Sequence, residues 1–297
     1  MSAILTIAGL TLRDAQRRWL LVVGVLLGGA FVLVYATGVW FIVQHSSCGP
    51  RARPCATPFQ ALEFRAGLNM GVIVGLFVAN FLTVITAVLL PVDTLSGEIA
   101  SGVTQTLASK PIRRAEIVIG KWLAYWLLVA FYIMLTAGGV ILSVWAVSAI
   151  VSGGSGFVPP SAARGLALIL LEATVMLTIS IAGGTRFSTV TNGMVALGVF
   201  GLGFLGGYVE QFGVMLVAGE AGRTVMRNIG TIISLLVPAD ALWRLAAYYM
   251  MPAIVRDLEV TPFNSMYPPS GAMVLWAIGY IVVVGAIAVR QFNNRAL

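Results

Sequence analysis

The sequence predicts an all-α, polytopic membrane protein with six transmembrane helices, and three observations carry that prediction. First, 59% of the 297 residues are hydrophobic, only 10% are charged, and the mean hydropathy is +0.96. Soluble domains carry about a quarter charged residues. So little charge cannot cover a water-exposed globule, and lipid must solvate most of the chain. Second, six segments are long and apolar enough to span, each near the roughly 20 residues a bilayer core requires; they are 19–43, 67–91, 122–151, 165–184, 192–217 and 271–289. Third, arginine and lysine are distributed unevenly around those segments.

Residues 1–18 precede the first span. Ile4, Ala8, Leu12, Ala15 and Trp19 fall on one helical face, while Arg13, Asp14, Arg17 and Arg18 crowd the polar end. This pattern suits an interfacial helix, or a charged flank that orients the first span. QRRWLLVV has the charged-then-apolar form of a secretion signal. The apolar run that follows, about 25 residues, is too long for a signal core and lacks a small-residue cleavage site, so it is read as a true span. The next loop, HSSCGPRARPCATP, holds the only two cysteines, Cys48 and Cys55, with Gly49, Pro50 and Pro54 bending the chain between them. In an oxidising compartment such a pair can close a small disulfide loop; two unlinked thiols are the alternative. With His45 they remain short of a zinc ligand set.

The second span ends at Pro91, and residues 93–122 carry seven of the 29 charged residues. Leu95, Ile99, Val103 and Leu107 form an apolar stripe at helical spacing, with Glu98, Ser101, Thr104 and Gln105 on other faces. Pro111 suits the first turn of a new helix, which carries Arg113, Arg114, Glu116 and Lys121 before entering the membrane at Trp122. The segment 93–121 therefore reads as a helix lying against the bilayer and turning into a basic-tipped third span. Its bland reading is a positively charged loop with an interfacial helix.

Within the spans, Glu172 lies in the fourth and Asn80 in the second. An ionisable group at that depth is a functional candidate by default. It could bind a polar or cationic substrate or relay a proton. With Thr174, Thr178 and Ser180 nearby, a protonated Glu172 bonded to a neighbouring helix is the structural alternative. Gly24 with Gly28, Gly67 with Gly71 and Gly75, and Gly203 with Gly207 have the small-xxx-small spacing that permits close helix approach. Residues 228–255 are apolar enough for a seventh span, but Pro238, Asp240 and Arg244 fall near the centre. They are read as two short helices broken at Pro238, lying in or dipping into the outer face of a cap at 218–270. Leu242, Leu245, Ala246 and Tyr249 share a face of the second, and Asp240 and Arg244 form an i,i+4 pair.

Six spans leave both termini on one side. That side holds Arg13, Arg17, Arg18, Lys110, Arg113, Arg114, Lys121, Arg186, Arg290 and Arg295, and the other eight basic residues are spread over longer loops. The bias places both termini in the cytoplasm, in a multi-pass protein of the cell's inner or plasma membrane.

The stretch LSGEIASGVTQTLASKPIRRAEIVIGKW resembles the cytoplasmic signature of type-2 ABC transporter permeases. The matching positions are Glu98, Gly102, Leu107, Ser109, Pro111, Ile112, Arg114, Glu116, Ile117, Gly120 and Lys121, with Ala108 standing where a second leucine is common. The overall layout resembles that family as well: an N-terminal interfacial helix, six spans, an outer re-entrant element before the last, and a short basic tail. The long outer loop and TLRDAQRRW look more like the branch of nitrous-oxide-reductase maturation permeases. The resemblance implies that 93–121 contains a coupling helix docking on a separate ATPase subunit. Glu98, Ser101, Thr104 and Gln105 would form the docking face, with Arg113, Arg114 and Glu116 at the hinge into the third span. It further implies two ATPase copies holding ATP and Mg, a second permease copy, and outward transport. The fifth span would border the path between the two permeases.

The residues agree on one point independently. The only Gly-Lys, Gly120–Lys121, is followed by Trp122, so the chain has no phosphate loop of the G-x-x-x-x-G-K-[ST] form and no cofactor site of its own for ATP. The +7 charge does not imply nucleic acid, because no basic cluster is interleaved with aromatics. A membrane-embedded enzyme lacks support: there is no HExxH, no GxSxG and one histidine. A transporter driven by protons alone would need more than one deeply buried acid and an internal repeat. A non-transporting membrane subunit, passing ATPase motion to an extracytoplasmic partner through 218–270, is the second reading. For substrate, Met215, Met226, Met250, Met251 and Met266 near the cap would suit a copper or sulfur species, although methionines in oily segments usually pack. A hydrophobic drug, lipid or peptide is equally admissible.

Overall fold

A computed structural model describes residues 2–46, 57–94, 96–97, 113–152, 156–217, 219–252 and 268–294. Among the described residues the chain forms α1 (Ser2–Arg17), α2 (Trp19–Gln44), α3 (Pro58–Leu89), α4 (Arg114–Ser152), α5 (Ala162–Gly184), α6 (Thr189–Leu216), α7 (Glu220–Leu236), α8 (Ala239–Met250) and α9 (Ala272–Asn293). Six of these, α2 to α6 and α9, are long and apolar enough to cross a membrane. The protein is thus an all-α polytopic membrane protein. Cys48 and Cys55 lie outside the described residues.

Helix ends follow local chemistry. Thr57 caps α3, its hydroxyl accepting from the Gln60 N–H, and Pro58 occupies the first turn where its missing N–H costs nothing. Ser188 caps α6 in the same way through Thr191. Two spans outrun their apolar cores. α3 starts at Pro58 rather than residue 67. α4 has 39 residues, or about 58 Å at the helical rise, against a hydrocarbon core of roughly 30 Å. Its extra turns lie at the Arg114 end, where the sequence is charged.

The spans are not equivalent. In α5, 67% of the most apolar stretch is buried, against 6% in α2 and 11% in α9. α5 is therefore the centre, packed against α3, α4, α6, α8 and α9, while the rest of the chain leaves most of the apolar surface of α2 and α9 uncovered.

Glycines set the seams. Side chains of Tyr132 and Thr136 on α4 come within 3.0 Å of where a Cβ on Gly28 would stand, and Tyr35 within 2.5 Å of one on Gly75. Gly24 and Gly67, expected to share these roles, meet nothing within 4 Å. The glycine-rich face of the fifth span also has an unexpected partner. Gly203, Gly206 and Gly213 face Val237, Ile233 and Met226, so α6 packs closely on the chain's own α7.

One further expectation needs correction. Trp19 does not share the buried face of α1. Arg18 is extended (φ −79°, ψ 126°) and ends the helix, leaving Trp19 at 75% exposed on α2, while Ala8, Thr11 and Ala15 form the buried face. Residues 228–255 do divide into two helices, α7 and α8. A break at Val237–Pro238 with a 107° bend is present. α8 is packed into the protein, with every residue from Ala239 to Ala247 buried. The polar side of α8 can be buried because Arg244 meets a carboxylate from α6, Glu210.

Candidate functional site

The end of the molecule that carries both termini gathers its polar side chains around the exit of α3. α3 stops at Leu89, and Pro91–Thr94 make a turn closed by the Thr94 N–H on the Pro91 carbonyl (2.9 Å). These residues cannot satisfy their backbone groups within a helix, so other helices do it. Lys121 of α4, 3% exposed, donates its ammonium to the Thr94 carbonyl at 3.1 Å. The Thr94 hydroxyl bonds to that of Tyr125, one turn further along α4. From α6, Asn192 reaches the Val92 carbonyl at 3.4 Å, and Thr189 donates to Asp93 at 2.8 Å and meets Ser96 at 2.9 Å. Arg18, between α1 and α2, lies 3.7 Å from the other Asp93 oxygen while bonding Asp14. The chain leaving α3 is thus tied to three separate parts of the bundle.

Gly120 adds a fourth element. A Cβ there would stand 2.9 Å from Ile7 and 3.0 Å from the Ile4 carbonyl, so α1 crosses α4 at backbone distance. The adjacent Gly120 and Lys121 therefore divide two tasks, one seating the N-terminal helix and the other holding the exit of α3.

Of the expected coupling residues, Glu98, Ser101, Thr104 and Gln105 lie outside the described residues. Arg113, Arg114 and Glu116 together form the start of α4. Arg113 donates its backbone N–H to the Glu116 carboxylate at 3.1 Å, one arm of a capping box. Arg114 donates to the Asn293 carbonyl at the end of α9, 3.1 Å away, where a cation meets the negative end of the helix dipole. Lys121, Asp93, Tyr125 and Thr189 were not singled out as site residues. Lys121 stood in the sequence motif as a charge; nothing local announced that it would be buried against a carbonyl.

Inside the membrane region the structure brings Asn80 and Glu172 together. The Asn80 amide donates to Glu172 Oε1 at 3.2 Å, between α3 and α5. A second cluster lies between α6, α7 and α8. Arg244 donates to Glu210 at 2.8 Å and to Ser234 at 3.2 Å, and its Nε lies 2.9 Å from Asp240 as an ion pair outside hydrogen-bond alignment. Gly207 makes room for this knot, since a Cβ there would overlap the Asp240 carboxylate. The expectation of a single deeply buried acid is therefore wrong: Glu172, Asp240 and Glu210 are 1%, 6% and 9% exposed. Glu210 sits near the end of an apolar run, where composition alone gave no sign of a partner.

Other candidates resolve into packing. Trp122 and Trp126 donate their indole N–H groups to Thr178 and Thr174. Met250 and Met251 are buried among hydrophobic side chains, and Met226 covers Gly213. Among the described residues no group of three or more His, Cys, Asp or Glu is placed to hold a metal ion. A cleft of about 550 Å³ runs between Trp122, Thr178 and Arg290, and another of about 350 Å³ between His45, Glu63 and Val144. Neither reaches Glu172 or Asn80.

No curated protein sequence matches the chain at a significant level. A family model does: that of the ABC-2 family transporter proteins matches residues 6–297. The chain, an all-helical protein with six membrane-crossing helices, belongs to the ABC-2 family of transporter proteins.

Proposed function

We propose that this chain is the permease subunit of an ATP-driven exporter, worked by a separate ATPase that docks on segment 93–121. The observation that supports this most is the tethering of residues 92–96, where the segment begins. A helix docked on a soluble motor must pass displacement to several spans at once. Here Lys121 and Tyr125 link the segment to α4, Thr189 and Asn192 to α6, and Arg18 to the α1–α2 junction. At the far end of the segment, Glu116 fixes the first turn of α4 and Arg114 joins it to α9. Glu98, Ser101, Thr104 and Gln105 supply the docking face. ATP and Mg belong to the partner ATPase, present in two copies, and two permease copies enclose the path. Glu172 and Asn80 face each other between α3 and α5, so they line that path only in a conformation that parts these helices.

The test is purification of the tagged chain from its native membrane in mild detergent, with the mass and identity of what accompanies it. The expected result is an ATPase in a two-plus-two complex, lost on Glu98→Lys. A stable chain that retains no ATPase at any ionic strength overturns the proposal.

A further inference from the structure

We infer that Glu172 holds a resident proton, as a neutral carboxylic acid paired face to face with the carboxamide of Asn80, so that α3 and α5 together form a proton-binding site. The argument rests on which atoms are satisfied. Asn80 Nδ2 donates to Glu172 Oε1 at 3.2 Å, yet Glu172 Oε2 and Asn80 Oδ1 are both buried without a hydrogen-bond partner. With Glu172 ionised, both orphans are acceptors, and neither can serve the other. One proton on Oε2 turns it into a donor toward Asn80 Oδ1 and closes a ring of two hydrogen bonds. Turning the amide over does not help an ionised Glu172. It would aim the amide oxygen at Oε1 and lose the bond already made.

No other group competes for the role. Thr174 and Thr178 donate to carbonyls of their own helix, at Leu170 and Thr174, and accept from Trp126 and Trp122. Ser180 donates across to the Val88 carbonyl of α3. The buried cation Arg244 is held between Asp240 and Glu210, and the buried Lys121 donates to the Thr94 carbonyl. Among the described residues Glu172 makes no ion pair, and its one hydrogen bond is that from Asn80. A buried carboxylate with no cation and one hydrogen bond is the least stable arrangement available; the protonated acid leaves no orphan. It follows that the pair is uncharged and offers no site for a cationic substrate while α3 and α5 are in contact. Loss of the proton would set the Glu172 carboxylate against the Asn80 oxygen and favour separation of the two helices. None of this depends on the ATPase reading.

The experiment is infrared difference spectroscopy of the full chain in lipid nanodiscs at neutral pH, wild type against Glu172→Gln. The expected spectrum contains a protonated-carboxyl C=O band that moves to lower frequency after exchange into D2O and is absent from the variant. Asn80→Ala should move the same band to higher frequency by removing its hydrogen-bond donor. Glu172→Gln should melt with the wild type, because an amide–amide pair makes both bonds without a proton, whereas Glu172→Ala should melt earlier. A difference spectrum with carboxylate bands alone overturns the inference. So does a C=O band that Asn80→Ala leaves unmoved, which keeps the test decisive even where the glutamine variant does not fold.

Discussion

The polar cluster at the exit of α3 and the knot around Arg244 are both buried and both charged, but they are built in opposite ways. Around Arg244 every partner is a side chain, and the group closes on itself within α6, α7 and α8. The glycine seams at Gly203, Gly206 and Gly230 bring the same helices to close contact. At the exit of α3, Lys121 and Asn192 each bond a backbone carbonyl of the turn, at Thr94 and Val92. The Val92 carbonyl also accepts from the Ser96 hydroxyl at 3.0 Å, so the backbone of the turn is itself part of the cluster. The contrast separates a joint closed among side chains from one built around the chain's own backbone. Charge is tolerated at both places because it is matched, by opposite charges around Arg244 and, at the exit of α3, by the Thr94 carbonyl for Lys121 and by Arg18 for Asp93.

The largest effect expected from breaking this comparison is in the knot. Arg244→Ala leaves Asp240 and Glu210 buried without their cation, and removal of one partner from such a group costs about 3–5 kcal/mol. The expected outcome is a large drop in the melting temperature of the purified protein, whatever partner is present. Replacing all three charges with apolar or amide residues should recover much of the loss, since no buried charge then remains. If the triple variant is as unstable as Arg244→Ala, the knot stabilises by shape and not by charge pairing. Gly207→Ala acts on the same knot by overpacking, and should cost about 1–3 kcal/mol because the Asp240 carboxylate must shift.

Lys121→Met tests the other cluster. It deletes one charge-assisted bond to a carbonyl, a contribution of about 1.5–3 kcal/mol when the donor is charged. Its melting shift should therefore be smaller than that of Arg244→Ala. Its effect on coupling should be larger, read as the ratio of transport to ATP hydrolysis in a reconstituted complex. If Lys121→Met and Arg244→Ala lower that ratio in proportion to their melting shifts, the two clusters do not differ in kind.

How much of this was legible in the sequence depends on whether a feature is local. The six spans, the bend at Pro238 and the Asp240–Arg244 pair were readable, because apolar length, a missing N–H and i,i+4 spacing are properties of neighbouring residues. The Asn80–Glu172 contact joins residues 92 positions apart, and only their shared depth in apolar runs hinted at it. Glu210 gives no such sign, because its partner Arg244 sits 34 residues away in the chain. Lys121 was noticed as part of a motif and Gly120 as its neighbour. Their separate contacts, with Thr94 and with Ile4 and Ile7, depend on how α1 and the exit of α3 fold back onto α4. Trp19 was misplaced by a single residue of extended backbone at Arg18, which no propensity at that position announces.

The smallest effect concerns the other end of segment 93–121. Glu116 accepts the Arg113 N–H in the first turn of α4, where a carboxylate also meets the positive end of the helix dipole. Loss of such a cap costs about 0.5–2 kcal/mol in most helices. α4 is anchored along its length against α1, α2 and α3, so the global melting shift for Glu116→Ala should fall at the low end of that range. The local effect should be plainer. Amides of the first turn should exchange with solvent faster in hydrogen-exchange mass spectrometry, while those beyond Lys121 keep their protection. Glu116→Gln separates the two contributions, because it retains an acceptor for the Arg113 N–H and loses the charge. Protection like the wild type's in the glutamine variant means that the hydrogen bond holds the turn. Protection like the alanine variant's means that the dipole does, and then raising the salt concentration should loosen the same amides in the wild type.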